Sequence, residues 1–197
     1  MFKIPTLFDR DWNDTQQVVN RILPENNWVL REGLPTIKID GLTVLIDLGK
    51  LYKRMVIGQN KKAPSGFIGS EFDEKTGKRF GWMPFHADAK EDSYLAEALT
   101  TYITMNNIHM PHDGTWELVG PTIRGNPYKL DSHELRPHDV PLDLMDWPIM
   151  TFEGIQAWLE NHPQHEGIVW HHPDGYRKAK IKRVDYGLRW PVIKSKK

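Results

Sequence analysis

Cysteine does not occur in the 197 residues of this chain. That absence removes disulfides, thiolate zinc sites and a cysteine nucleophile together, and it fits a reducing compartment such as the cytoplasm. Net charge is missing as well, since 26 Lys and Arg offset 26 Asp and Glu. No global field draws the protein to nucleic acid, so any such surface has to be a local patch. No stretch reaches the roughly 18 consecutive apolar residues of a membrane span, and the start Met1-Phe2-Lys3-Ile4-Pro5 lacks the apolar core of a secretion signal. The sequence therefore predicts a soluble cytoplasmic protein with no membrane partner. A phosphate loop is excluded too: Gly66 and Gly69 stand near Lys61 and Lys62, but no Gly-Lys-Ser/Thr opens a helix. Repeats and low-complexity segments are absent, and nothing in the sequence fixes an oligomeric state.

What is present suffices for one domain over residues 1–197, with a core burying roughly 70% of the unfolded surface. Eight Trp, six Tyr and seven Phe supply much of that core. The chain is organised around residues 35–47, two β-prone runs joined at Asp40-Gly41. Strand alternation puts Thr36, Lys38 and Asp40 on one face and Ile37 and Ile39 on the other. The Asp-Gly pair predicts a hairpin turn that also permits close approach to the backbone. Residues 28–33 and 50–56 read as neighbouring strands, giving three or four antiparallel strands. Residues 14–23 read as a short helix capped by Asp14 or Thr15 and closed by Pro24. Residues 57–92 form a loop-rich insert of no assignable fold. Helices are predicted over 93–105 and 152–160 from apolar spacing of three to four. A β run covers 115–120, a turn follows at Gly125-Asn126-Pro127-Tyr128, and a hairpin joins 167–171 to 176–183 through Pro173-Asp174-Gly175. The tail Lys194-Ser195-Lys196-Lys197 reads as disordered.

Charge recurs inside the β runs at Lys38, Glu117, Glu166 and the pair Lys180 and Lys182. Embedded charge is costly unless it is paired or coordinated. Cross-sheet salt bridges are one account, and a hairpin with a solvent-facing lysine would explain Lys38 alone. Nucleotidyl transfer accounts for all these positions together. A lysine amine attacks phosphorus only when unprotonated, and neighbouring cations favour that form. Lys180 and Lys182, two apart on one strand face, suit an α-phosphate. Glu166 suits Mg²⁺, and Glu117 suits a ribose hydroxyl or a second metal shell. The histidines offer less. His133 and His138 are spaced by five rather than four and Pro137 breaks any helix between them, which excludes a zincin-like site. His162, His165, His171 and His172 read as surface or hairpin residues, with His171 a candidate for substrate contact.

Taken in order, these stretches resemble the motifs of the covalent nucleotidyltransferase superfamily of ATP-dependent ligases and capping enzymes. Lys38-Ile39-Asp40-Gly41 is similar to motif I, Trp116-Glu117-Leu118-Val119-Gly120 to motif III, Glu166-Gly167-Ile168-Val169 to motif IV, and Ala179-Lys180-Ile181-Lys182-Arg183 to motif V. Within it the sequence, over about residues 28–192, resembles the small ATP-dependent 5′-to-3′ RNA ligases of the vertebrate type. The resemblance implies an α+β, ATP-grasp-like nucleotidyltransferase domain with antiparallel sheets around a nucleotide cleft and no OB-fold domain. It implies a nucleophilic Lys38, assisted by Lys180 and Lys182, that forms a lysyl-AMP from ATP. AMP then passes to an RNA 5′-phosphate, and a 3′-hydroxyl displaces it. Nucleotide contacts are implied at Ile37, Asp40, Gly41, Arg54, Glu117, Lys180 and Lys182, and Mg²⁺ or Mn²⁺ at Glu166 and Glu117. Many relatives carry an arginine two residues past the motif I glycine. Here that place is Thr43, and Arg54 is the candidate replacement. A guanylyltransferase using GTP and a non-catalytic RNA-binding domain are the competing expectations.

Overall fold

The computed structural model describes residues 4–74, 76–143 and 146–192; the predicted disordered tail lies outside them. In chain order the strands and helices are β1 (Phe8–Arg10), β2 (Val18–Ile22), α1 (Val29–Glu32), β3 (Leu34–Lys38), β4 (Leu42–Asp47), β5 (Lys50–Ile57), β6 (Ile68–Asp73), β7 (Lys78–Pro84), α2 (Ser93–Asn106), β8 (Gly114–Val119), β9 (Glu134–Pro137), α3 (Phe152–Asn161), β10 (Gly167–His171) and β11 (Lys178–Lys182). The fold is mixed α and β with antiparallel sheets. It divides into two compact units, one on Asp40–Pro137 and the other on Ile4–Ile39 with the chain from His138 onward. No helix among the described residues is long and apolar enough to cross a membrane.

The unit on Asp40–Pro137 is a six-stranded sheet in the order β6-β7-β5-β4-β8-β9. Alternation along β4 and β8 sends Val44, Ile46, Trp116 and Leu118 to one face, where they pack with Leu95 and Ala98 of α2. The expected neighbours β4 and β5 do pair, through a tight turn at Leu48 and Gly49, both with positive φ. The stretch 57–92, for which no fold was assignable, contributes two strands. β7 pairs with β5 and β6 pairs with β7, so the insert widens the sheet.

The second unit has a three-stranded sheet ordered β11-β10-β3. Ile168, Trp170, Ala179 and Ile181 are fully buried on one face, packed with Ile155, Trp158 and Leu159 of α3. Thr151 starts α3, its hydroxyl accepting from the Gly154 N–H at 3.0 Å. The hairpin of β10 and β11 forms as expected.

Three expectations are corrected. Residues 14–23 are not a helix: β2 runs through them and pairs with β1. The Asp11 carboxylate accepts from the N–H groups of Asn13 and Asp14, a local turn that competes with helix initiation, and Gln16 sits at positive φ. Residues 28–33 are not a strand but the single turn α1, which follows a 3₁₀ turn at Pro24–Asn26 and buries Trp28 and Val29. Asp40-Gly41 is not a hairpin turn. β3 pairs with β10 while β4 pairs with β5 and β8, so the chain leaves one sheet there and enters another. Gly41 is not at positive φ. It is required by crowding, because a Cβ would lie 2.3 Å from the Leu118 carbonyl oxygen and 2.7 Å from Glu117 Cγ.

Candidate functional site

Register places the lysines of the second unit in rows across its sheet. Lys38 of β3 and Lys182 of β11 both stand opposite Gly167 of β10; Thr36 and Lys180 stand opposite Val169, and Leu34 and Lys178 opposite His171. Ile37, Ile168 and Ile181 belong to the intervening row and face the core. Strand alternation therefore gathers Lys38, Lys178, Lys180 and Lys182 on the face away from that core. Gly167 has no side chain, which leaves the row between Lys38 and Lys182 open, and strand spacing sets their Cα atoms about 10 Å apart. A Cβ at Gly167 would lie 2.0 Å from the Ile181 carbonyl oxygen, so the backbone itself demands glycine there.

The Lys38 amine donates to Glu166 Oε2 at 2.7 Å and to its neighbour's carbonyl, Ile39 O, at 3.3 Å. Both members of this ion pair are largely buried, as the rule that buried charge is paired requires. Lys180 differs. Burial, with Lys38 and Lys182 adding repulsion, lowers its amine from the ordinary 10.5 to about 8, while Asp185 and Glu166 pull the other way. At Lys182 the chain turns into a short 3₁₀ helix, and the Asp185 carboxylate accepts from the Lys182 N–H at 2.8 Å while pairing with Arg10 at 2.5 Å. Among the described residues no three His, Cys, Asp or Glu side chains gather as a metal cage. Mg²⁺ is commonly held by one or two carboxylates together with substrate phosphates. Glu166, a single carboxylate beside the Lys38 amine, fits that mode of binding, and the same oxygen chemistry suits Mn²⁺.

The remaining predicted residues fall in the other unit. Glu117 is buried, and its Oε1 accepts from the Gly41 N–H at 3.1 Å. Asp40 presents its N–H to the Tyr128 hydroxyl at 2.7 Å. Arg54 lies over the Phe80 and Trp82 rings, 5.2 and 6.0 Å from their centroids, where cation–π attraction holds it. Burial lowers its pKa, with Glu71 and Glu117 opposing. Thr43, at the place of the missing motif I arginine, stands opposite Glu117. The structure thus gathers Lys38, Glu166, Lys180 and Lys182 in one unit, and Asp40, Gly41, Glu117 and Arg54 in the other. Ile37 packs its side chain against the core, which leaves its main chain for any nucleotide contact.

Sequence reasoning missed two residues that grip motif I. Arg124 donates from Nε to the Gly41 carbonyl at 3.2 Å, and Tyr128 holds the Asp40 N–H while Arg136 lies 4.9 Å above its ring. Tyr128 closes the stretch 125–128 that reads as a turn and Arg124 precedes it, but a contact from such a segment to a distant backbone leaves no local pattern. Lys178 was passed over although it extends the alternation of Lys180 and Lys182. Of the histidines, His133 is engaged by the Glu97 carboxylate at 2.8 Å and stacks on Tyr94. His171 Nε2 lies 3.1 Å from the Thr36 hydroxyl, and burial with Lys178 nearby pushes its pKa down to about 4.

The RNA ligase 1 family matches residues 88–196, more than half of the chain, a span that includes Glu117, Glu166, Lys180 and Lys182 but not Lys38. RNA ligase 1 of Danio rerio is 42% identical over 85 residues, covering 40% of this chain and 26% of the relative. RNA ligase 1 of Rattus norvegicus is 28% identical over 149 residues, covering 63% of this chain and 45% of the relative. The chain therefore spans less than half the length of these curated relatives. A ligand-free point mutant of a Naegleria gruberi RNA ligase aligns with 91% of this chain and 57% of its own, at 14% identity and a TM-score of 0.34, too low to bear on fold or function. On the family match over residues 88–196, the chain belongs to the RNA ligase 1 family.

Proposed function

We propose that this chain carries the nucleotidyltransferase chemistry of an ATP-dependent RNA ligase, with an ATP-grasp-like domain and Lys38 as nucleophile. The observation that carries the reading is the placement of the Lys38 amine. It lies at the end of β3, bonded to Glu166 at 2.7 Å, on the sheet face that also bears Lys180 and Lys182. Family membership supports RNA as the class of substrate. The unprotonated Lys38 amine attacks the α-phosphorus of ATP, an N–P bond forms, and pyrophosphate leaves with the electrons of the broken P–O bond. An oxygen of an RNA 5′-phosphate then takes the AMP from Lys38. A 3′-hydroxyl finally attacks the activated phosphorus, loses its proton and releases AMP.

Lys180 and Lys182 act as fixed donors to phosphoryl oxygens, where preorganised charge lowers each barrier. Glu166 would hold Mg²⁺, which would supply added charge neutralisation at phosphoryl oxygens. In this reading Glu117 and Arg54 serve the nucleotide, and the site of action is cytoplasmic. The test is joining of two RNA strands. A 5′-phosphorylated donor should be sealed to a 3′-hydroxyl acceptor only with ATP, through a transient adenylated donor. Absence of both product and adenylated RNA counts against the reading.

A further inference from the structure

The lysine face continues past the residues assigned to nucleotidyl transfer. Lys178, Lys180 and Lys182 alternate along β11, so their Cα atoms follow one another at about 6.7 Å on a single face. Lys178 stands at the far end, in the row of His171 and Leu34. Lys178 and Lys180 are both half-buried, and burial lowers the pKa of each. Neither amine has a hydrogen-bond or ion-pair partner among the described residues. Elsewhere in the same unit cations are answered: Arg10 by Asp185, Arg21 by Asp9, Arg177 by Asp174. A half-desolvated cation with no ion pair is costly, and Lys178 is the less compensated of the two: Asp185 and Glu166 pull on Lys180, whereas burial alone acts on Lys178.

His171 sharpens the assignment. The Thr36 hydroxyl donates to Val169 O at 3.3 Å, so its lone pairs are left to accept from His171 Nε2–H at 3.1 Å. Burial, with Lys178 nearby, holds that imidazole neutral near pH 7, so the lysine is the formal charge of its row.

We propose that Lys178, flanked by His171, forms a second phosphate subsite one strand repeat beyond Lys180. It would hold a phosphate group adjoining the one that undergoes transfer. The inference rests on the reading of Lys180 and Lys182 as the phosphoryl site. Two sources share this chemistry: the terminal phosphates of a nucleoside triphosphate and the 5′-phosphate of an RNA.

Direct titration decides it, with no covalent step required. Inorganic triphosphate, a 5′-phosphorylated RNA and its 5′-hydroxyl twin are titrated into the wild-type chain and into Lys178→Ala, Lys178→Arg and Lys62→Ala. Loss of one charge-assisted contact predicts about tenfold weaker binding of at least one phosphorylated probe by Lys178→Ala. Lys178→Arg should retain most of that affinity, and Lys62→Ala, on the exposed insert, should not change it. Loss confined to triphosphate assigns the subsite to the nucleotide tail. Loss confined to the 5′-phosphorylated RNA assigns it to the RNA end. Unchanged binding in Lys178→Ala, equal loss with the 5′-hydroxyl RNA or in Lys62→Ala, or no binding of either phosphorylated probe by the wild type overturns the subsite. Because only binding is read, a failure of Lys38 to accept AMP would refute the ligase reading without altering these outcomes.

Discussion

In the six-stranded sheet the half-buried cations are answered where they stand. Lys53 pairs with Asp92, Arg136 with Glu134 at 2.9 Å, and Arg54 lies over two aromatic rings. In the three-stranded sheet Lys38 alone of the four lysines on one face makes a close ion pair among the described residues, and Lys180 keeps a depressed pKa. Both sheets were built by the same alternation of apolar and polar residues, so alternation does not separate a structural charge from a working one. Pairing narrows the choice: a half-buried cation without an ion pair, as at Lys180, is poised for an anion, whereas a paired one, as at Lys38 with Glu166, has to give up its partner before it can act.

The contrast breaks first at Lys180 and Lys182. Either changed to Ala should slow AMP transfer to Lys38 on the order of a hundredfold, the effect of removing one preorganised contact worth ~3 kcal/mol. Arg79→Ala, which loses its bond to the Lys61 carbonyl, serves as the reference, and equal slowing in all three variants would erase the distinction. Next in size is Glu166→Gln. It removes the carboxylate at Lys38, and activity should fall about tenfold with a raised Mg²⁺ requirement, since both the ion pair and a metal ligand are lost. Full activity at low Mg²⁺ would make Glu166 structural. In the six-stranded sheet the effect should appear as stability instead. Tyr128→Phe leaves the Asp40 N–H without its acceptor, at a cost of about 1–3 kcal/mol, read as a lowered denaturation midpoint. An unchanged midpoint would show that water or a neighbour replaces the hydroxyl.

The smallest effect is a pH dependence. Because the Lys180 amine is lowered from 10.5 to about 8 in the folded chain, the unfolded chain binds more protons between those values. Stability from this group therefore rises with pH across that window. Lys180→Met should be more stable than the wild type below pH 8, and the gap should close as pH approaches 10.5. Parallel stability curves across the window would mean that the amine is fully hydrated.

Several parts of this arrangement could be read from local pattern. The alternation of Lys180 and Lys182, the Pro173-Asp174-Gly175 turn and the apolar spacing of α2 and α3 each declare themselves within a few residues. The partner of β3 could not, since Lys38 meets Glu166 across 128 positions of sequence. A lone Asp-Gly therefore suggested the nearer hairpin. β2 failed for a related reason: Val18, Val19 and Ile22 satisfy helical spacing as well as a short strand, and pairing with β1 decides between them. Lys178 was legible as the next step of the alternation, whereas Tyr128 and Arg124 act on motif I through tertiary contacts that no local pattern encodes.

The central claim is that Lys38 is the nucleophile, and it lies outside the residues matched to the family. The direct measurement incubates the protein with α-labelled ATP, or separately GTP, and Mg²⁺, then maps the labelled peptide. One AMP on Lys38, from ATP and not GTP, and none in Lys38→Ala is the predicted result. Label that persists in Lys38→Ala, or maps to another lysine, contradicts the account.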